Sequence, residues 1–134
     1  MTEPKVAQDK YQFSSLHDFA ALREQLQTKL SVLPPQAASL FFMSINEAVN
    51  NALFHGNNQD ENKKVTLTWM NFAEEIRIVI CDEGEGFIRP DLTCSDLLCK
   101  ECGRGLNFIE YGADSYQYNS KGNELTLSKR LISS

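Results

Sequence analysis

Residues 65–81 read Val-Thr-Leu-Thr-Trp-Met-Asn-Phe-Ala-Glu-Glu-Ile-Arg-Ile-Val-Ile-Cys. Two runs in this stretch, Val65 to Met70 and Ile76 to Cys81, are rich in β-branched and aromatic residues and alternate with a period of two. Successive strand side chains point to opposite faces, so each run reads as a half-buried strand. The polar break from Asn71 to Glu75 between them predicts an antiparallel hairpin. A second hairpin is expected near the end of the chain. Ser115 to Asn119 and Glu124 to Leu131 are joined there by Ser120-Lys-Gly-Asn123. Lys10 to Phe13 adds a short edge strand, and residues 1–9 read as a flexible tail.

Before the first hairpin the period changes. Leu16, Phe19, Leu22, Leu26 and Leu30 recur at spacings of three and four, the apolar stripe of an amphipathic helix over residues 16–31. Ser14 and Ser15 offer N-cap oxygens, and Asp18 falls in the first turn, where negative charge is favoured. Pro34 and Pro35 stop this helix and begin the next, because proline suits a first helical turn. The second helix spans about Gln36 to His55. Phe41, Phe42, Ile45, Ala48, Val49, Ala52 and Leu53 lie on its apolar arc, and Ser44, Glu47, Asn50, Asn51 and His55 lie opposite. Gly56 and the polar run 57–62 end it. Between the hairpins, a loop from Asp82 to Gly103 precedes a short helix over Gly105 to Ala113. A loop of that length inside a compact domain is usually a functional lid or disordered. Grouped helices and grouped strands point to an α+β domain, with helices on one face of a largely antiparallel sheet.

Composition bounds the function. The 134 residues suit one domain, here residues 10–134, with 42% hydrophobic and 23% charged residues. Thirteen Lys plus Arg against eighteen Asp plus Glu leave a net charge of -5, which disfavours general nucleic-acid binding. No run reaches the roughly 18 apolar residues of a membrane span. Met1 to Lys10 shows no apolar core of a secretory signal, so a cytoplasmic setting is expected. Cys94, Cys99 and Cys102 echo part of a ferredoxin spacing. The fourth ligand would have to be the upstream Cys81, so reduced thiols are the better reading.

Three segments carry chemistry. Glu47 and Asn51 are one turn apart on one helix face. A carboxylate and a carboxamide there suit a base and a hard-cation ligand, though a solvated polar face has the same spacing. Asp82-Glu-Gly-Glu-Gly-Phe87 places a carboxylate at a strand end, followed by two glycines that admit close backbone approach or a tight turn. Gly103-Arg-Gly-Leu106 opens a helix, where backbone N–H groups and an arginine fork suit phosphate. Other nucleotide motifs fail. There is no G-x-x-x-x-G-K-[ST] sequence, and Arg89 and Phe108 occupy the third position of the two candidate G-x-G-x-x-G runs.

In this order and spacing, the three segments resemble the N, G1 and G2 boxes of the GHKL (histidine-kinase-like) ATPases. Glu47-Ala-Val-Asn-Asn-Ala-Leu-Phe-His-Gly56 and the ending Gly122-Asn-Glu-Leu-Thr-Leu-Ser-Lys-Arg-Leu131 are most similar to the bacterial anti-sigma-factor serine kinases. The resemblance implies a Bergerat fold, a two-layer α/β sandwich on a mixed, largely antiparallel sheet, with a lid at about 88–103. It implies ATP and Mg²⁺ as cofactors, Glu47 as general base, Asn51 as Mg²⁺ ligand and Asp82 as partner of the adenine amino group. Gly84 and Gly86 would shape the adenine pocket, and Gly103, Arg104, Gly105 and Leu106 would close over the phosphates. The implied activity is phosphorylation of a serine on an anti-anti-sigma-type protein by an anti-sigma regulator that also binds a sigma factor. Homodimers are common in the family. The alternatives are a non-catalytic, nucleotide-dependent partner switch and a stand-alone histidine-kinase ATP-binding domain. Asn123 and Glu124 depart from the family, which usually carries threonine just after the glycine of the last hairpin. Asn107 stands where the G2 box often has another glycine.

Overall fold

The computed structural model describes residues 5–57, 60, 62–84, 109 and 112–131. Its described strands are β1 (Lys5–Phe13), β2 (Val65–Phe72), β3 (Glu75–Cys81), β4 (Ser115–Tyr118) and β5 (Glu124–Arg130). They form one sheet in the order β1-β2-β3-β5-β4, with every neighbouring pair antiparallel. The described strands therefore include no parallel pair, although the family resemblance implied a mixed sheet. Both hairpins stand where the alternation placed them. The first is tighter than expected, because Asn71 and Phe72 extend β2 and Glu75 opens β3.

β1 is longer than the sequence suggested. Residues 5–9, read as part of a loose tail, pair with β2 from Lys5↔Phe72 to Asp9↔Trp69, with an irregularity between Lys5 and Ala7. An edge strand bonds to one neighbour only and carries exposed polar side chains, so its composition resembles that of a tail. Lys29 secures it from the helical layer through an ion pair with Asp9, and its ammonium lies 5.7 Å from the Trp69 ring centroid.

The first predicted helix is divided in two. Helix α1 (Leu16–Ala20) and helix α2 (Arg23–Lys29) are separated by a turn at Ala21 and Leu22, and a short 3₁₀ segment, Leu30–Val32, follows. The apolar stripe survives the break, since Phe19, Leu26 and Leu30 are all buried. Ser15 caps α1 by accepting the Asp18 N–H at 3.1 Å. Helix α3 (Pro35–Asn51) starts with Pro35 in its first turn and continues into a π-type turn, Ala52–Gly56.

The core lies between helices and sheet. Val65, Leu67 and Trp69 of β2, Ile76, Ile78 and Ile80 of β3, and Leu125 and Leu127 of β5 bury one sheet face. Phe41, Ile45, Ala48 and Val49 of α3 are buried in the same cluster. Each large apolar side chain removed from water contributes about 1.5–3 kcal/mol, so this alternation fixes the register. Ser44 departs from the sequence reading. It is fully buried, and its hydroxyl donates to the Ile109 carbonyl at 3.0 Å. A methyl on Gly112 would stand 2.0 Å from the Leu40 carbonyl oxygen and 2.2 Å from Ser44 Oγ. That close approach turns a nominally polar position of α3 into a packed one. No described helix is long and apolar enough to cross a membrane.

Candidate functional site

Helix α3 and its π-type turn run toward the β3–β5 end of the sheet, where strand β3 ends at Cys81 and Asp82 follows. A cleft at that end is lined by Ala48, Asn51 and Ala52 from the helix, Ile80 and Asp82 from the sheet side, and Tyr118, Gly122, Asn123 and Leu125 from the last hairpin. Apolar walls with the polar side chains of Asn51, Asp82, Tyr118 and Asn123 suit a flat heterocycle that also needs directional hydrogen bonds.

Asp82 is the best-buried charged residue of the cleft, at 5% exposure. Its backbone N–H donates to the Asn123 carbonyl at 2.9 Å, and its own carbonyl accepts from Asn123 Nδ2 at 3.2 Å. These bonds carry the antiparallel pairing one residue beyond Cys81↔Glu124. Carboxylate Oδ1 accepts the Gly84 N–H at 2.8 Å. A methyl on Gly56 would stand 2.1 Å from Oδ2, and one on Gly84 would stand 1.9 Å from the Gly56 carbonyl oxygen. Both glycines are needed to let the loop after β3 lie against the end of α3. Gly84 thus packs closely between the Gly56 carbonyl and the Asp82 carboxylate.

Asn57 follows the π-type turn and is 1% exposed. Its N–H donates to the Ala52 carbonyl at 2.8 Å, and its carbonyl accepts from Asp60 N–H at 3.0 Å. Its Oδ1 accepts the Glu83 N–H at 2.7 Å, and its Nδ2 donates to the Lys64 carbonyl at 3.1 Å. The Lys64 N–H in turn donates to the Glu83 carboxylate, closing a ring of three hydrogen bonds through residues 57, 64 and 83. The last hairpin is organised in a similar way. Asn119 Oδ1 accepts the N–H groups of Gly122, Asn123 and Glu124 at 2.7–3.2 Å, and Gly122 takes a positive φ of 85°. The sequence reading treated Asn57 as part of a helix-stopping polar run, and Asn123 as a turn residue and a departure from the family pattern. An asparagine in a turn is common, and nothing local distinguishes a buried one.

The structure brings Asn51 and Asp82 to one cleft. Glu47 stands one turn earlier on α3, half-buried, and is outside the residues that line the cleft. Gly86, Gly103, Arg104, Gly105 and Leu106, the lid at 88–103 and Cys94, Cys99 and Cys102 lie outside the described residues. Cys81, next to Asp82 at the end of β3, is half-buried and outside the cleft lining. Burial pushes its thiol above the usual range, and Glu124 and Asp82 push it further. Among the described residues no group of three His, Cys, Asp or Glu side chains could hold a metal. A lone Asn51 amide oxygen fits a cation that arrives with phosphate oxygens and water as its other ligands, which is how Mg²⁺ is commonly held.

Comparison with known proteins agrees with this geometry. Residues 14–129 match the model of the histidine kinase-like ATPase domain. The chain is 32% identical over 98 residues to an anti-sigma F factor of Oceanobacillus iheyensis, covering 67% of each chain. It is 30% identical over 96 residues to an anti-sigma F factor of Clostridium perfringens strain SM101, covering 66% of this chain and 69% of the relative. The fold, the cleft at the end of α3 and these matches lead to one conclusion: the chain belongs to the histidine kinase-like ATPase family, in the group that includes the anti-sigma factors.

Proposed function

We propose that the protein binds ATP with Mg²⁺ and is a serine kinase that regulates a sigma factor through a small anti-anti-sigma-type substrate. The observation that carries this reading is the convergence of Asn51 from α3 and Asp82 from the end of β3 on one apolar-walled cleft. Asp82 would accept the adenine amino group on a carboxylate already oriented by Gly84 N–H. The Asn51 amide oxygen would hold Mg²⁺, which supplies charge neutralisation at the phosphates. Glu47 would act as base. Its carboxylate takes the proton of the incoming serine hydroxyl as the serine oxygen bonds to the terminal phosphorus and the bond to the ADP oxygen breaks. Positioning and charge neutralisation supply most of the rate enhancement in such transfers, so one oriented base is sufficient side-chain chemistry. Gly103, Arg104, Gly105 and Leu106 complete the proposal as the phosphate-closing segment, with Gly86 beside Gly84 in the adenine pocket.

Support for the partner comes from the anti-sigma F factor relatives. Their names describe proteins that act on a sigma factor. A second reading, a nucleotide-dependent switch that sequesters its partner without phosphotransfer, draws on the position of Glu47 outside the cleft lining. Radiolabelled phosphotransfer to a cognate anti-anti-sigma protein separates the two. Transfer by the wild type that is lost in Glu47→Ala supports the kinase. ATP binding with no transfer favours the switch.

A further inference from the structure

Asp82, Glu83 and Gly84 are held at three consecutive amides. Asn123 takes the N–H of Asp82, Asn57 takes that of Glu83, and the Asp82 carboxylate itself takes that of Gly84. The third bond orients the carboxylate only if the loop that presents the Gly84 N–H is held, and Asn57 holds it one peptide earlier, between Asp82 and Glu83, by accepting the Glu83 N–H. Its amide orientation is set by its partners. Oδ1 faces an N–H and Nδ2 faces a carbonyl, and the flipped amide would oppose donor to donor and acceptor to acceptor. All four polar groups of Asn57 are engaged at 1% exposure, so it has no rotameric alternative that keeps its bonds. The residue also joins elements far apart in sequence: the π-type turn ending α3, the start of β2 and the loop after β3.

We propose that Asn57 is a positioning residue for the Asp82 carboxylate, and through it a determinant of the choice between 6-amino and 6-oxo purine nucleotides. The proposal rests on the reading of the cleft as a purine nucleotide site. A carboxylate accepts from a 6-amino group and repels a 6-oxo group, but only at a fixed position and angle. A site built around a hydrogen bond discriminates strongly against a ligand that cannot make it. Releasing the Glu83 amide lets the loop rotate and relaxes that discrimination before it abolishes binding.

The test is titration calorimetry of the whole chain with Mg²⁺ and either ATP or inosine triphosphate, on wild type, Asp82→Asn and Asn57→Ala, with thermal unfolding of each. Wild type should prefer ATP by about tenfold or more, and Asp82→Asn should lose the preference. Asn57→Ala should lose most of it while still binding the triphosphate. A purely structural role would lower the melting temperature and weaken both nucleotides equally, and that result overturns the proposal. A wild type with no preference overturns the purine-site reading instead, and the proposal with it. Amide hydrogen exchange on the wild type supplies a second readout that does not depend on the variant folding. The Glu83 N–H should exchange as slowly as those of Asp82 and Gly84, and exchange at the rate of an unstructured peptide rules out the Asn57 bond.

Discussion

The Asp82 carboxylate packs directly on the backbone of Gly56: a methyl group there would stand 2.1 Å from Oδ2 and 2.3 Å from Cγ. Helix propensity alone favours alanine over glycine by roughly 0.8–1.0 kcal/mol. The contact opposes this, since overpacking commonly costs about 1–3 kcal/mol. Gly56→Ala is therefore expected to lower both the urea midpoint and ATP affinity. A variant that is more stable than wild type and binds ATP equally well contradicts the packing described.

Gly84→Ala should be at least as damaging. Its new methyl would meet the Gly56 carbonyl oxygen at 1.9 Å and the carbonyl carbon at 2.6 Å, both backbone atoms. Backbone cannot swing aside as a side chain can, so the loop after β3 must move. The expected loss is about 1–3 kcal/mol of stability or more, read by urea denaturation. The double variant Gly56→Ala with Gly84→Ala should lose less than the sum, because both methyls force the same loop away.

Ser44→Ala tests the second buried polar link. The hydroxyl donates to the Ile109 carbonyl from a fully buried position on α3. Removing the donor leaves that carbonyl with the longer bond from the Ala113 N–H at 3.3 Å, and the lost hydrogen bond should cost about 0.5–1.5 kcal/mol. Chemical denaturation should show the loss, and a midpoint equal to wild type would mean that water replaces the hydroxyl.

The difference between what the sequence revealed and what it hid follows from physical range. Both hairpins, the cap at Ser15 and the proline start of α3 at Pro35 were legible, because alternation, capping and first-turn proline are local signals. Ser44 was misplaced on a polar arc because a helical projection records direction and not what stands there. Ile109 and Gly112 stand against it. β1 was shortened because an edge strand with exposed Gln8, Asp9 and Lys10 has no periodic apolar signal over its first half. The break in the helix at 16–31 was hidden because no glycine or proline marks Ala21 and Leu22. Asn57 was hidden because its partners, at 64 and 83, lie in other elements.

Cys81 provides a pH-dependent readout. Burial, then Glu124 and Asp82, disfavour its thiolate, so the folded protein holds the proton to higher pH than the unfolded chain does. The unfolded state releases it first, and the stabilising contribution present at neutral pH declines as pH rises through the usual thiol range near 8.5 and above. Alkylation at pH 8, followed by peptide mass spectrometry, should modify Cys81 slowly in the native protein and rapidly in urea. Equal rates would show that the thiol is not buried as described.

Strand β5 is the last described strand in chain order, yet it sits inside the sheet between β3 and β4. Until it arrives, β3 has an open edge, and Asp82 lacks the carbonyl and the amide that Asn123 provides. A chain emerging from the ribosome can therefore form the β2–β3 hairpin early, but it cannot assemble the cleft until residue 123 is made. Nascent chains halted before residue 123 should therefore remain unable to capture nucleotide however well their helices are formed.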